Sequence, residues 1–474
     1  MRQVLRRARR RALPAAIALA LSGVLLAGCG VARHVAGTAS PGPGEPVDVA
    51  SVAFPITGVS DTGVDQLARN ALADLNAFWK EAYPEFFGGD FTPLENGYFS
   101  VDSTAIDESA YPATGIGCEG SPSKPDEVAE NAYYDSACDL IVYDRALLEE
   151  LSTQYGRFLG PVVMAHEFGH AMQARFGFAA SGRSIQDETQ ADCLAGAWAQ
   201  WVRRGNAEHL SLRTPELDDV IRGFLLLRDD VGSDPNDSQA HGSYFDRVSA
   251  FYEGFDGGVG ACRDDFGENR LYTAASFSGA EVETGGNATV EQIDEWVGTT
   301  LPEFWTGVSP SAYGTDFTPP KVKTFDGSAP DCAGVRNRDL GYCADDDTVY
   351  LDETDLGLPV HDEIGDFALT TALSLPYSLA VRTQAGLSTD DGAATRSAVC
   401  LTGWYEAQWF NGAFTSSTDG AVISPGDIDE AVQFLLEYGV RPEVFPNTSA
   451  SGFELVGAFR TGFLQGGDAC DLKR

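Results

Sequence analysis

Basic side chains are scarce in this sequence of 474 residues, which has 32 lysines and arginines against 70 aspartates and glutamates. The formal charge of −38 excludes the basic face that sequence-independent binding to nucleic acid or anionic lipid requires. Long apolar runs are scarce as well, and the stretch 12–27 is too short to span a bilayer comfortably. With 43% hydrophobic and 22% charged residues, the composition excludes a polytopic membrane protein and a wholly disordered chain.

The N-terminal segment has the pattern of an export signal. Six arginines lie among residues 2–11, followed by the apolar stretch 12–27 and by Cys29. Leu26-Ala27-Gly28-Cys29 resembles a bacterial lipobox, in which the cysteine becomes the lipid-modified first residue; a secreted protein with a chance cysteine is the alternative. We expect residues 1–28 to be a lipoprotein signal peptide and residues 29–48 a flexible tether. The exported protein is then held at the outer face of the bacterial cell membrane by its lipid anchor only.

An internal repeat is detectable at an offset of about 208 residues, which is typical of a duplicated domain. Residues 193–196 (CLAG) match 400–403 (CLTG) at an offset of 207, and the sequence DFTP occurs at both 90–93 and 316–319, at the larger offset of 226. The repeat predicts a tandem duplication, with one copy at 49–268 and the other at 275–474.

The cysteines divide in the same way. Nine cysteines are present, and setting aside Cys29 leaves eight, an even number that suits disulfides in an oxidising compartment. Local pairing within each copy predicts four bridges: Cys118 with Cys138, Cys193 with Cys262, Cys332 with Cys343, and Cys400 with Cys470.

The hydrophobic periodicity predicts an α+β fold that is mainly helical. One short strand is predicted at 140–143. Helices are predicted at 64–80, 155–176, 185–203, 216–227 and 244–255.

A short motif in the first copy carries the chemistry. His166-Glu167-Phe168-Gly169-His170 places two histidines at positions i and i+4, on one face of a helix, where both imidazoles can bind one ion with Glu167 beside it. The chain has only six histidines, so two unrelated surface histidines at this spacing are a weak alternative.

A zinc ion in such a site needs a third protein ligand and keeps a fourth position for water. Glu188 on the next predicted helix is our first candidate, with Asp187 and His241 as the competing ones. Asp192 lies four residues after Glu188, on the same helical face. It is therefore suited to accept a hydrogen bond from a ligand histidine.

These motifs together resemble the bacterial neutral zinc metallopeptidase family over about residues 55–262. The resemblance implies a zincin-like peptidase domain with His166, His170 and Glu188 as ligands. The matching parts are Cys118-Glu119-Gly120 with Tyr134 and Cys138, the motif 166–173, the segment 188–196, and His241-Gly242-Ser243 with Arg247 downstream. The loop between Cys118 and Cys138 departs from the usual short signature of the family.

The ligand set predicts peptide-bond hydrolysis by metal-activated water. Glu167 takes the proton of the water and passes it to the leaving amine. His241 is the candidate donor for the oxyanion, with a surface histidine in a Gly-Ser turn as the alternative.

The second copy lacks each proposed catalytic group. Aligning the copies places Leu375, Pro376 and Leu379 opposite the motif residues, Thr395 and Val399 opposite Glu188 and Asp192, and Ser449 and Leu455 opposite His241 and Arg247. We therefore expect one zinc ion, in the first copy only, and a catalytically dead second copy whose helix kinks or starts at Pro376. The second copy lacks His241 and Arg247 as well as the proposed ligands, and this joint loss favours both as residues of the site.

Two classes of function follow. The first is a membrane-tethered, extracytoplasmic zinc endopeptidase that acts on a peptide or protein substrate and binds no nucleic acid. The alternative is a binding or scaffold lipoprotein with a structural zinc site. Glu167 favours the first, because a structural zinc site needs no general base.

Overall fold

The computed structural model describes residues 46–60, 62–118, 123–176, 183–267, 269–279, 281–445 and 450–471. The predicted signal peptide, Cys29 and most of the predicted tether lie outside these residues. The described chain is α+β and mainly helical. None of the described helices has the length and apolar character that a membrane span requires.

The first half of the chain, up to residue 267, combines helices with a three-stranded sheet. Its elements in chain order are α1 (Gly63–Phe86), β1 (Gly97–Val101), β2 (Ala132–Asp135), β3 (Leu140–Asp144), α2 (Arg145–Tyr155), α3 (Leu159–Phe176), α4 (Ser184–Arg203), α5 (Thr214–Leu227) and α6 (Tyr244–Asp264).

Strand β3 is the centre of this sheet. It pairs in parallel with β1, where Phe99 lies opposite Val142, and antiparallel with β2, where Tyr133 lies opposite Val142. All of β3 is buried, which explains its continuous apolar sequence from Leu140 to Tyr143. The single strand predicted from the sequence is therefore the central one.

Helices α4 and α6 cross with their backbones in close contact. A Cβ atom on Gly254 would lie 1.7 Å from the carbonyl oxygen of Cys193, and one on Gly196 would lie 2.0 Å from that of Phe251. Only glycine leaves room for such an approach. The disulfide between Cys193 and Cys262 joins the same two helices.

The second half has the same order of strands and principal helices. Its elements are α7 (Glu281–Thr284), α8 (Val290–Ala312), β4 (Lys321–Phe325), β5 (Leu340–Cys343), β6 (Thr348–Asp352), α9 (Leu358–Glu363), α10 (Asp366–Gln384), α11 (Gly392–Phe410), α12 (Asp427–Glu437) and α13 (Gly452–Gln465). Strand β6 pairs in parallel with β4 and antiparallel with β5, which is the topology of the first sheet.

The close helix crossing also recurs. A Cβ atom on Gly462 would lie 1.7 Å from the carbonyl oxygen of Cys400, and one on Gly403 would lie 2.2 Å from that of Phe459. The disulfides of the described chain are the four pairs expected from the sequence: Cys118–Cys138, Cys193–Cys262, Cys332–Cys343 and Cys400–Cys470.

Helix α10 runs from Asp366 to Gln384 and includes Pro376. Of the two outcomes expected at Pro376, a kink or a start, the start is wrong, because the helix begins at Asp366. Leu375 and Tyr377 on either side are almost completely buried. Their packing offsets the cost of a proline inside a helix, about 3 kcal/mol.

The two halves are joined by reciprocal helix capping. Asp429 on α12 accepts hydrogen bonds from the backbone amides of Tyr244 and Phe245 at the start of α6. Asp218 on α5 accepts the corresponding bonds from Gly452 and Phe453 at the start of α13. Each half therefore holds a helix N-terminus of the other with a carboxylate, where negative charge is stabilising.

Candidate metal centre

The centre forms where α3 packs against α4. His166 and His170 lie one turn apart on α3, and their Nε2 atoms are 3.1 Å from each other. Glu188 on α4 places Oε2 at 3.2 Å from Nε2 of His166 and Oε1 at 3.4 Å from Nε2 of His170. The structure thus brings together the three residues that the sequence analysis proposed as ligands.

The spacing of these atoms fits zinc. Tetrahedral ligands at about 2.0–2.1 Å from a zinc ion lie about 3.3 Å apart. Imidazole nitrogens with one carboxylate are also a donor set that zinc prefers. The three residues would therefore hold the ion, with a fourth position left to water or substrate.

The histidine rings are oriented by hydrogen bonds on their other nitrogen. Nδ1 of His166 donates to Oδ1 of Asp192 at 2.8 Å, and Nδ1 of His170 donates to Oε1 of Gln173 at 2.8 Å. In the metal-binding form, both rings would keep their proton on Nδ1 and direct the lone pair of Nε2 towards the centre.

Asp192 is in turn held by Arg247 from α6. The guanidinium donates to both carboxylate oxygens, at 2.7 and 2.8 Å, and a further bond reaches the carbonyl of Leu227. Burial would raise the pKa of Asp192, but Arg247 and His166 outweigh it and lower that pKa. Asp192 is therefore an anion that supports the basicity of His166. These are the positions that the sequence analysis expected for both residues.

Gln173 was missed by the sequence analysis. Its Nε2 donates to Oε1 of Gln190 at 3.0 Å and to the backbone carbonyl of Asp187 at 2.6 Å, which leaves its own Oε1 facing His170. The signal available was its position one turn after His170 on the same helix. The carboxylate of Asp187, a competing third ligand, is not among the clustered donor atoms.

Glu167 is buried beside the ligands and is not one of them. Glu167 is only 7% exposed, and its Oε2 accepts a hydrogen bond from the backbone amide of Tyr134 on β2 at 2.9 Å. Burial raises the pKa of Glu167, although the two histidines act against this. The carboxylate is therefore held next to the metal position with its affinity for a proton increased.

His241 lies at the edge of the centre. Its Nε2 is 3.9 Å from Oε2 of Glu188, and its side chain is 45% exposed. Asp229 orients it: Oδ1 is 3.2 Å from Nδ1 of His241, while Oδ2 accepts the backbone amides of His241 and Gly242. Asp229 lies twelve positions before His241 in a loop. It could not be recognised from the sequence, because no motif surrounds it.

The second half has no such centre among its described residues. Leu375 and Leu379 on α10 and Val399 on α11 are buried and apolar. The remaining described groups of clustered donor atoms are Cys332 with Cys343 and Asp345, whose cysteines form a disulfide, and an all-carboxylate group considered below. Ser449, aligned with His241, lies outside the described residues.

Comparison with known proteins agrees with this location. The model of a family described as "Putative neutral zinc metallopeptidase" matches residues 128–266. The uncharacterized protein YpfJ of Escherichia coli K12 is 27% identical over 160 residues, which cover 29% of this chain and 54% of that protein. The uncharacterized protein Rv2575 of Mycobacterium tuberculosis H37Rv is 28% identical over 141 residues, covering 24% and 48%.

The chain therefore spans about half the length of the curated relatives it matches. No solved structure matches the chain. The family match suggests a zinc metallopeptidase domain, and it includes His166, Glu167, His170, Glu188 and Asp192.

Proposed function

We propose that the protein is a membrane-tethered, extracytoplasmic zinc endopeptidase that hydrolyses a peptide or protein substrate, with Glu167 as its general base. The observation that carries the proposal is the position of Glu167. Its carboxylate is buried next to His166 and His170 but is not one of the clustered ligand atoms. A structural zinc site closes its fourth position with protein and needs no such group.

His166, His170 and Glu188 would hold the zinc ion, which would supply a Lewis acid for the scissile carbonyl and for water. Glu167 takes a proton from the attacking water and delivers it to the leaving amine. Its raised pKa suits the first step, because the carboxylate must take the proton from water and hold it until the amine nitrogen accepts it.

His241 is our candidate for the donor that stabilises the oxyanion. Its Nε2 lies on the Glu188 side of the centre, and the bond between Nδ1 and Asp229 fixes the ring. Donation from Nε2 to the oxyanion, with Nδ1 bonded to Asp229, requires both ring nitrogens to carry a proton. His241 then acts on the substrate and is not a third or fourth protein ligand.

The second half is, in this proposal, a duplicated copy that has lost its catalytic residues. The support is the matching sheet topology, the recurrent glycine crossings and the disulfides Cys193–Cys262 and Cys400–Cys470. One zinc ion per chain, in the first copy only, follows from the apolar residues at the aligned positions.

The second copy also contributes to the site of the first. Asp429 forms an ion pair with Arg228 at 2.7 Å and caps α6 through Tyr244 and Phe245. Arg228 precedes Asp229, and α6 carries Arg247. The second copy is therefore an accessory domain that holds the segment bearing His241.

Export and lipid anchoring rest on the sequence. The arginine-rich start, the apolar stretch 12–27 and the lipobox-like residues before Cys29 support them, and the disulfides suit an oxidising compartment. Retention of the chain in the membrane fraction, and its release when Cys29 is replaced by serine, would test this part.

The decisive experiment compares the wild type with Glu167→Gln in zinc content and in cleavage of an unfolded protein. Glu167→Gln should keep about one zinc per chain and lose activity by orders of magnitude, because it removes proton transfer and leaves the ligands. Glu188→Gln is the matched control at a ligand and should lose zinc as well. Wild-type activity in Glu167→Gln would refute the peptidase, and the scaffold lipoprotein with structural zinc would replace it.

A further inference from the structure

A second cluster of donor atoms lies in the second half, away from the candidate metal centre. It consists of Asp366 at the start of α10 and of Asp427 and Glu430 in the first turn of α12. One oxygen from each carboxylate lies within 4.8 Å of the others. Asp366 is 4% exposed and Asp427 is 5% exposed, so at least two of the three charges are removed from water.

These carboxylates are only partly satisfied. Oδ2 of Asp366 accepts the amide of Ala288 at 2.7 Å, Oδ2 of Asp427 accepts that of Ser424 at 2.7 Å, and Oε2 of Glu430 accepts that of Phe367 at 2.8 Å. None of the three forms an ion pair with a lysine or arginine of the described chain.

One oxygen atom of the cluster lacks any partner. Oδ1 of Asp366 is fully buried and accepts no hydrogen bond from the described residues. A buried carboxylate oxygen without a partner is costly, and native proteins satisfy nearly all such atoms with protein, water or an ion. Asp366 and Asp427 also line a cavity of about 230 Å³, together with Gln292, Trp296 and Trp409. The cavity gives room for an ion with water ligands.

At the equivalent position, the first half has a basic side chain that the second half lacks. Arg157 follows Gly156 just as Asp366 follows Gly365, and Arg157 Nε donates to Oε1 of Glu216 at 2.7 Å. The first half thus places a guanidinium against the carboxylate of α5.

The acidic partners correspond in the two halves. Glu216 and Asp219 are three residues apart on α5, as Asp427 and Glu430 are on α12. A Cβ on Gly156 would approach Asp219, and a Cβ on Gly365 would approach Glu430. The second half therefore keeps the two acids and replaces the cation with Asp366.

We infer that Asp366, Asp427 and Glu430 bind a divalent cation of the Ca²⁺ type, which replaces the guanidinium of the first half. An all-oxygen donor set selects a hard cation over zinc. Ca²⁺ accepts irregular coordination and completes it with water, whereas Mg²⁺ demands near-ideal octahedral geometry. The ion would join the starts of α10 and α12, and so stabilise the second half without taking part in hydrolysis.

The competing explanation is that the carboxylates share protons. Burial raises the pKa of Asp427 and of Glu430, and nearby carboxylates raise it further. Burial also raises the pKa of Asp366, and the nearby His361, whose Nε2 is 2.9 Å from the carbonyl of Ala288, only partly opposes this. If the carboxylates share protons, acid should stabilise the fold and Ca²⁺ should have no effect. If they bind a cation, Ca²⁺ should stabilise the fold and acid should not.

The test uses the full-length, zinc-loaded protein with Ca²⁺ and with Tb³⁺ as a luminescent substitute. Trp296 and Trp409 line the cavity, so tryptophan excitation should sensitise Tb³⁺ emission, and Ca²⁺ should displace it. Saturating Ca²⁺ should raise Tm by about 5 °C, because it binds the folded state only. Asp427→Asn should lose both responses.

Two further variants keep the result interpretable. Asp366→Arg copies the first half and should abolish both responses while leaving a folded protein whose Tm without Ca²⁺ is at least that of the wild type. Glu188→Gln should keep both responses, which separates this site from the zinc centre. The proposal fails if the wild type shows no calcium-dependent shift in Tm, or if the Tb³⁺ signal survives in Asp427→Asn and Asp366→Arg.

Discussion

Asp192 and Arg247 form a bidentate ion pair behind the candidate metal centre, with nitrogen–oxygen distances of 2.7 and 2.8 Å and both side chains almost completely buried. The same carboxylate accepts the Nδ1 proton of His166 at 2.8 Å. A ligand on α3 is therefore coupled through α4 to α6. The geometry of the candidate metal centre therefore depends on the crossing of α4 and α6, which the Cys193–Cys262 disulfide also holds.

The first prediction concerns this pair. Asp192→Asn should lower zinc affinity by about 10–100-fold, since it weakens the acceptor that orients His166. It should also lower the free energy of unfolding by about 3–5 kcal/mol, because Arg247 is left as an unpaired buried charge. Competition with a chelator and denaturant unfolding measure the two effects.

Asp144→Asn is the matched control, because Asp144 is also a buried, hydrogen-bonded carboxylate but lies at the end of β3. It should lower stability and leave zinc affinity at the wild-type value. Equal zinc affinity in the wild type and in Asp192→Asn would contradict the orienting role.

The second prediction separates the two possible roles of His241. His241→Ala should retain zinc and reduce kcat by about 10²–10³-fold if the imidazole stabilises the oxyanion. Asp229→Asn should give a smaller fall in kcat, because it loosens the ring without removing it. Metal analysis of both variants decides the role: loss of zinc in His241→Ala would instead make His241 a ligand.

The third prediction concerns protons released on metal binding. Burial lowers the pKa of His166, but Asp192 and Glu188 outweigh it and raise that pKa to about 10. In the metal-free protein this protonation stabilises the fold fully below pH 6.5, and the contribution is lost as the pH rises through about 10. Zinc must displace this proton at neutral pH.

We therefore expect zinc binding at pH 7 to release protons and the apparent affinity to rise with pH. Titration calorimetry in two buffers with different enthalpies of ionisation measures the release. A binding enthalpy that does not depend on the buffer would show that His166 is already neutral.

Much of the candidate site could be predicted because its signals are local. The histidines of α3 and the pair of acids on α4 lie at helical spacing, so one face of each helix identifies them. The disulfide pairs followed from comparing the two halves of the sequence. The family match and the clustering of His166, His170 and Glu188 agree with that analysis.

The remaining strands and two residues near the site could not be predicted, because they depend on contacts between distant segments. Strands β1 and β2 are recognised by pairing with β3, and β4 is largely exposed, so none has a strong pattern of its own. The predicted helix 155–176 is divided at Gly156, whose φ of +82° ends α2. Asp229 and Gln173 act through side chains that only the folded loop and helix bring to the site.

The fourth prediction concerns the helix-crossing disulfide. Replacing Cys193 and Cys262 by alanine should lower the free energy of unfolding by about 4 kcal/mol in the loop-entropy model, because the loop spans 69 residues. Peptide mapping without reduction should find this bridge and the other three within the halves. Free thiols at these two cysteines, or a bridge between the halves, would contradict the pairing.

The last prediction tests whether the second half supports catalysis in the first. Asp429→Asn should weaken the cap of α6 and the ion pair with Arg228, and so release the segment that carries Asp229 and His241. We expect a lower Tm and a fall in kcat with zinc content unchanged.

Asp218→Asn is the symmetric control, because Asp218 caps α13, which carries none of the proposed site residues. Both variants lose equivalent capping bonds, each worth about 1 kcal/mol, so both should lower Tm, and Asp429→Asn should lower it further because it also weakens the ion pair with Arg228. Only Asp429→Asn should reduce kcat, because only its helix and loop reach the metal centre. If both variants lower kcat equally, the effect is general loosening of the fold, and the second half has no specific role in holding His241.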